Sequence, residues 1–109
     1  MSRSLGDLLG KEAGIISTPQ IIECEISMAT KYFVICSEDV WEFTSNKQVR
    51  YIGNIYYAKN DIEGFCKELI KFATSLWEQK EMYVRDDITF VAVFYYNNDL
   101  NFYVYLQFN

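Results

Sequence analysis

The chain has 109 residues, half of them apolar and 17% aromatic; this bounds it to one domain with enough hydrophobic mass for a core and excludes a disordered composition. A formal charge of −5 and an isoelectric point near 4.6, with the Lys and Arg residues scattered, exclude a basic face for nucleic acid or anionic lipid. Histidine is absent, which removes Ser-His-Asp and Cys-His catalytic sets, imidazole acid–base chemistry and His-ligated zinc.

Residues 2–18 read as loop, with Gly6, Gly10 and Gly14 spaced through them and Pro19 biasing Thr18 toward an extended backbone. The first ten residues lack the apolar stretch of a signal peptide, and no apolar run reaches the ~20 residues of a membrane span. The expectation is a soluble intracellular protein, cytoplasmic or nuclear, with no membrane and no nucleic-acid partner. Ile22, Cys24 and Ile26 alternate with Glu23 and Glu25, the period-two pattern of a half-exposed strand. Tyr32–Cys36 reads as a strand buried on both faces.

Two helices follow. Ser45 with Gln48 forms a capping box, and Val49, Ile52 and Tyr56 make an apolar stripe. Asn60 with Glu63 resembles the same box, and Ile62, Cys66, Leu69, Ala73 and Leu76 line the longer helix. Ile88–Tyr96 is a second buried strand; Asn97, Asn98 and Asp99 form a turn. Beyond it, Leu100, Phe102, Val104, Leu106 and Phe108 face one way and Asn101, Tyr103, Tyr105 and Gln107 the other, which closes a hairpin. The element order is β-β-α-α-β-β. It predicts an α+β fold, an antiparallel sheet with two helices packed on one face. Cys24, Cys36 and Cys66 form no CxxC pair and read as buried free thiols of a reducing compartment.

Two acidic clusters sit at the ends of the apolar runs. Ser37-Glu38-Asp39 follows the first, and Arg85-Asp86-Asp87 precedes the second. If the runs pair antiparallel, the end of one lies beside the start of the other, and the carboxylates share one edge of the sheet. Crowded like charges persist only when solvated, protonated or joined by a cation, and a hard ion such as Mg²⁺ or Mn²⁺ suits oxygen ligands. The alternative is that both clusters are ordinary strand-end turns, where Asp and Ser bond the local backbone.

Five stretches in fixed order resemble one family. Ser2-Arg3-Ser4-Leu5-Gly6-Asp7 resembles the S-R-x-L-G-D segment of metal-dependent protein serine/threonine phosphatases of type 2C. Pro19-Gln20-Ile21 resembles their P-E-[VI] segment, and residues 33–42 resemble F-[LI]-[IL]-x-[SC]-D-G-[LV]-W-[DE]. Ser45-Asn46-Lys47-Gln48-Val49 resembles S-N-x-[ED]-[AV], and Asp86-Asp87-Ile88-Thr89 resembles D-N-[IM]-T.

The resemblance implies half of a β-sandwich, a centre holding Mg²⁺ or Mn²⁺, and attack of a metal-activated water on phosphoserine or phosphothreonine proteins. It assigns Asp86 as a metal ligand and places Glu38 at the other metal-binding Asp, with Asp39, which stands where the family has Gly, as a substitute ligand. A Glu carboxylate reaches one methylene farther than Asp, a consequential displacement for an ion that wants octahedral ligands at ~2.0–2.1 Å. Asp39 in place of Gly also removes freedom at positive φ if the turn uses it. The family's phosphate-binding Arg, its further acidic pair and its Asp-Gly-His-Gly segment do not occur in these 109 residues.

The expectation is therefore a single partial domain, residues 1–109, that is the C-terminal portion of the phosphatase domain. It contributes ligands, pairs with the N-terminal half and is inactive alone, with no catalytic residue of its own. Exposed strands of a divided sandwich imply a homo-oligomer. Two alternatives remain: a pseudophosphatase-like interaction module without catalysis, and an unrelated α+β domain that matches by chance.

Overall fold

The computed structural model describes residues 2–80 and 87–96 in full and the backbone strand at 99–107. The elements in chain order are α1 (Leu8–Glu12), β1 (Tyr32–Cys36), α2 (Glu38–Phe43), α3 (Asn46–Ala58), α4 (Ile62–Gln79), β2 (Ile88–Tyr96) and β3 (Asp99–Gln107). The fold is α+β. A three-stranded antiparallel sheet in the order β1-β2-β3 carries α3 and α4 on one face. The closing hairpin forms, but Asp99, expected in its turn, is the first residue of β3 and pairs with Tyr96; the faces taken by the β3 side chains and the positions of Asn97, Asn98 and Phe108 lie outside the described residues.

Four helices form among the described residues where two were expected. The N-terminal loop contains α1, started by Asp7, whose carboxylate accepts from the Gly10 amide at 2.9 Å. The acidic segment after β1 is the start of α2 and not a turn. Residues 22–26 carry the predicted alternation but are an exposed coil, so the first expected strand does not form. Alternation makes a segment compatible with a sheet; pairing needs an adjacent edge as well.

The long helices start and stop on local chemistry. The Ser45 hydroxyl accepts from the Gln48 amide at 3.2 Å, and the Gln48 side chain accepts from the Ser45 amide at 2.9 Å, so the predicted capping box is present. The second box is displaced by one residue. Asp61 caps α4 by accepting from the Gly64 amide at 2.8 Å, while Asn60 adopts φ 51° and ends α3 in the left-handed conformation that Asn tolerates. Glu63 instead pairs with Lys67 at 2.7 Å, an exposed i,i+4 contact of small value.

The core lies between the helices and one face of the sheet. Phe65, Cys66 and Leu69 of α4 meet Phe90, Ala92 and Phe94 of β2, and Val40 and Val49 seal the α2 and α3 side. Helix α3 passes close to β1 at Gly53, where a Cβ would lie 2.5 Å from the Tyr32 hydroxyl oxygen. Tyr57 ties α3 to β2: its ring stacks on Tyr96 at 4.5 Å, its hydroxyl donates to the Tyr95 carbonyl, and the Tyr96 hydroxyl donates back to the Tyr57 carbonyl at 2.6 Å.

Strand β1 corrects a second expectation. Only its even positions, Tyr32, Val34 and Cys36, pack toward the core; Phe33 is 40% and Ile35 62% exposed on the outer face. A run of consecutive apolar residues therefore serves one covered face and one open face. The two faces should respond differently to truncation. Phe94→Ala is expected to cost about 3–5 kcal/mol, and Ile35→Ala under about 1 kcal/mol, in urea unfolding; equal losses would mean that the outer face is covered in solution.

Candidate functional site

The end of β1 and the start of β2 are joined by one serine. Cys36 pairs with Phe90, and one residue on the Ser37 amide donates to the Thr89 carbonyl at 2.9 Å. The Thr89 amide donates to Ser37 Oγ at 3.1 Å, and the hydroxyl in turn lies 3.5 Å from the Asp87 carbonyl it faces as donor. A hydroxyl both accepts and donates, so a single side chain continues the ladder past its last paired residues. The two strand ends thus meet as antiparallel pairing requires, and Ser37, the N-cap of α2, lies beside the backbone of 87–89.

Of the acidic residues singled out in the sequence, Glu38 and Asp39 occupy the first two positions of α2, after the N-cap Ser37. Glu38 is exposed and Asp39 half-buried. Carboxylates in a first helical turn face the unsatisfied amides and the positive end of the helix dipole, which gives both residues a local structural reason to be there. Trp77 from α4 donates its indole N–H to the Asp39 carbonyl at 3.0 Å, and its ring meets Phe43 edge-on at 5.6 Å, so α2 is held at both ends of its single face. Position 39 has a right-handed helical backbone and no positive φ, so this segment has no need of glycine there.

Asp86 and Arg85 lie outside the described residues. Asp87, at the edge of β2, is exposed. No group of three or more His, Cys, Asp or Glu side chains within reach of one metal ion occurs among the described residues. The donor chemistry suits a hard divalent cation, since every acidic candidate offers carboxylate oxygens. The described share of it, two carboxylates from one helical turn, is smaller than an octahedral ion requires.

The three thiols lie in three different surroundings. Cys24 is exposed, against expectation, because its segment has no strand partner; Cys36 is half-buried and Cys66 fully buried. Burial pushes the Cys36 thiol up to about 12. Burial also pushes Cys66 up to about 12, with Cys36, Glu63 and Asp61 adding to the effect. Neither supplies a thiolate nucleophile near neutral pH.

A groove beside β1 was missed in the sequence. It has a volume of about 360 Å³ and is lined by Lys31, Trp41, Asn46, Arg50 and Asn54 together with the β1 backbone. Asn46, Arg50 and Asn54 recur every four residues of α3, a polar helical stripe that sequence spacing does carry. Tyr32 also lines it, with its hydroxyl donating to the Arg50 carbonyl at 3.0 Å and lying 3.2 Å from the Asn54 side-chain oxygen.

Comparison with known proteins bears on the same region. The sequence profile of the family Protein phosphatase 2C matches residues 1–81. Probable protein phosphatase 2C 61 of Arabidopsis thaliana is 33% identical over 94 residues, covering 85% of this chain and 28% of that protein. Probable protein phosphatase 2C 72 of Arabidopsis thaliana is 28% identical over 91% of this chain and 30% of its own length. Probable protein phosphatase 2C 48 of Oryza sativa subsp. japonica is 26% identical over 89% of this chain and 27% of its own length. The chain therefore spans less than a third of the length of these curated relatives. No solved structure matches it.

The raised thiols fix a sign for the alkaline limb of stability. Each folded-state pKa lies above the ordinary value of 9.0, so the contribution of the protonated thiols is complete below pH 9 and is lost as pH rises toward about 12. Urea midpoints are expected to fall across that window, and more shallowly in the Cys36→Ala, Cys66→Ala double variant. Parallel declines in the two proteins would contradict the assignment.

Proposed function

This chain belongs to the protein phosphatase 2C family, and from that premise we propose that it is the C-terminal part of a metal-dependent protein serine/threonine phosphatase domain, contributing metal ligands and inactive by itself. One observation carries the reading. The in-register pairing of β1 with β2, prolonged by Ser37, puts the segment bearing Glu38 and Asp39 beside the β2 start that follows Asp86.

Glu38 and Asp39, with Asp86 by resemblance, would hold Mg²⁺ or Mn²⁺. When bound, such an ion supplies a low-pKa water for attack on a phosphoserine or phosphothreonine ester. The chain's own part is positional. Ser37 locks the two strand ends, and Trp77 fixes the first turn of α2 that carries both carboxylates. The phosphoprotein substrate, the phosphate-binding cation and the remaining ligands belong to the N-terminal half of the domain. Support for that missing half comes from the outer sheet face, where Phe33 and Ile35 are uncovered. In isolation the same face would drive self-association.

A second reading, a pseudophosphatase-like interaction module, draws on the departures at one site: Glu38 where the family has a ligating Asp and Asp39 where it has Gly, in a segment that is regular helix. Calorimetric titration with Mn²⁺ separates the two. Under the first reading the chain binds weakly, and Glu38→Asp raises affinity by about tenfold, the scale on which misplacement around a metal acts. Asp86→Asn abolishes binding, and no phosphate is released from a phosphopeptide. Affinity indifferent to both substitutions would sink the ligand assignment, and partner binding that survives EDTA and Asp86→Ala would favour the second reading.

A further inference from the structure

We propose that the exposed face of α3 is a docking surface for a short acidic peptide of a partner protein. Such a surface needs no metal and no catalytic step.

The distribution of charge comes first. The chain carries a formal charge of −5, yet no Asp or Glu lies between Glu42 and Asp61, a stretch that holds Lys47, Arg50 and Lys59. Helix α3 fills most of it. Lys31, just before β1, joins these cations in space, since it lines the same groove as Arg50. Lys59 sits over the Tyr56 ring at 5.2 Å. Lys31, Lys47 and Arg50 are exposed and form no ion pair among the described residues, whereas Lys67 on α4 is paired with Glu63.

Two grooves run along this face. The groove of about 360 Å³ beside β1 and a second of about 300 Å³, lined by Lys47, Arg50, Tyr51 and Asn54, share Arg50 and Asn54 as a common wall. Asn46, Arg50 and Asn54 form one row, and Lys47 and Tyr51 a second row beside it. From Asn46 to Asn54 the helix rises about 12 Å, the length of about four extended residues. Trp41, 36% exposed, borders the first groove and Tyr51, 71% exposed, the second. No described carboxylate lines either groove. Glu68 of α4 lines the next groove together with Lys47, so the acid-free surface ends at α4.

These features select the occupant. A guanidinium offers paired N–H donors to a carboxylate, and an ammonium adds a point charge beside it. Cations set apart along a helix answer several carboxylates spaced along a peptide better than one concentrated phosphate. Three of them are too few for a nucleic-acid backbone or a lipid surface, which call for a larger basic patch. A second copy of the chain does not fit, because a two-fold contact through this face sets the cations of one copy against those of the other. Apolar residues between the acidic ones would rest on the Trp41 and Tyr51 rings.

Fluorescence anisotropy with a short labelled peptide alternating Glu with Leu tests the surface. The peptide is expected to bind, and to bind more weakly as salt rises, because the pairs it makes are exposed. The double variant Lys47→Glu, Arg50→Glu should lose about tenfold or more in affinity. Lys67→Glu with Lys71→Glu, which changes the net charge equally but lies on α4, should leave affinity unchanged. Equal losses in the two double variants overturn the proposal, since overall charge would then be responsible. So does the absence of binding at about 1 mM peptide. Tighter binding of a peptide with one phosphoserine and no carboxylate side chain overturns it too, by making phosphate the ligand. Amide chemical shifts of the unmodified chain, titrated with the Glu-Leu peptide, cover the case in which a variant does not fold. Shifts are expected across residues 46–54, and shifts confined to other elements overturn the assignment.

Discussion

The antiparallel pairing of β1 with β2 is the constraint on which the rest of the structure depends. It fixes which residues face the helices, and every second side chain of both strands joins one core because the register sets Val34 against Ala92 and Cys36 against Phe90. It also fixes which chain ends meet. The Ser37 hydroxyl extends the ladder beyond the last pair, so the acidic segment entering α2 is tied to the acidic segment entering β2 through the backbone of Thr89 and Asp87. A junction made of main-chain and hydroxyl bonds brings the two strand ends together without any attraction between carboxylates.

Asymmetry of the sheet follows from the same pairing. One face is packed under α3 and α4 with aromatic rings at close range; Tyr32, Phe65 and Phe94 lie within 5.6–6.1 Å of one another. The other face presents Phe33 and Ile35 to solvent, with the Phe33 ring 6.0 Å from that of Tyr95. An apolar face of this kind is normal for a layer that belongs to a larger assembly and costly for one that stands alone.

Legibility tracked the range of the interaction concerned. The capping box at Ser45 is readable because donor and acceptor are three residues apart. The second cap is misplaced by one residue because Asn60 and Asp61 are both competent caps, and only the left-handed end of α3 selects between them. The alternation at 22–26 is real but unpaired, and spacing alone does not show whether an edge stands ready to receive it. Consecutive apolar residues in β1 suggest burial on both faces, yet that pattern cannot tell a covered face from one awaiting cover. The start of α2 is hidden because Ser, Glu and Asp serve equally as a turn and as a helix's first residues.

By itself, the sequence determined the phosphatase 2C kinship, the α+β class, the absence of imidazole chemistry, the two long helices and the two strands that form the core. Those properties reside in residue type and short spacing, which a linear chain displays. Tertiary structure alone decided that Ser37 bonds Thr89, that Trp77 holds the Asp39 carbonyl, that Cys36 and Cys66 are muted by burial while Cys24 is exposed, and that β1 ends the sheet among the described residues. Each of those depends on residues tens of positions apart being brought into contact, and contact at that separation is set by register and packing, not by composition.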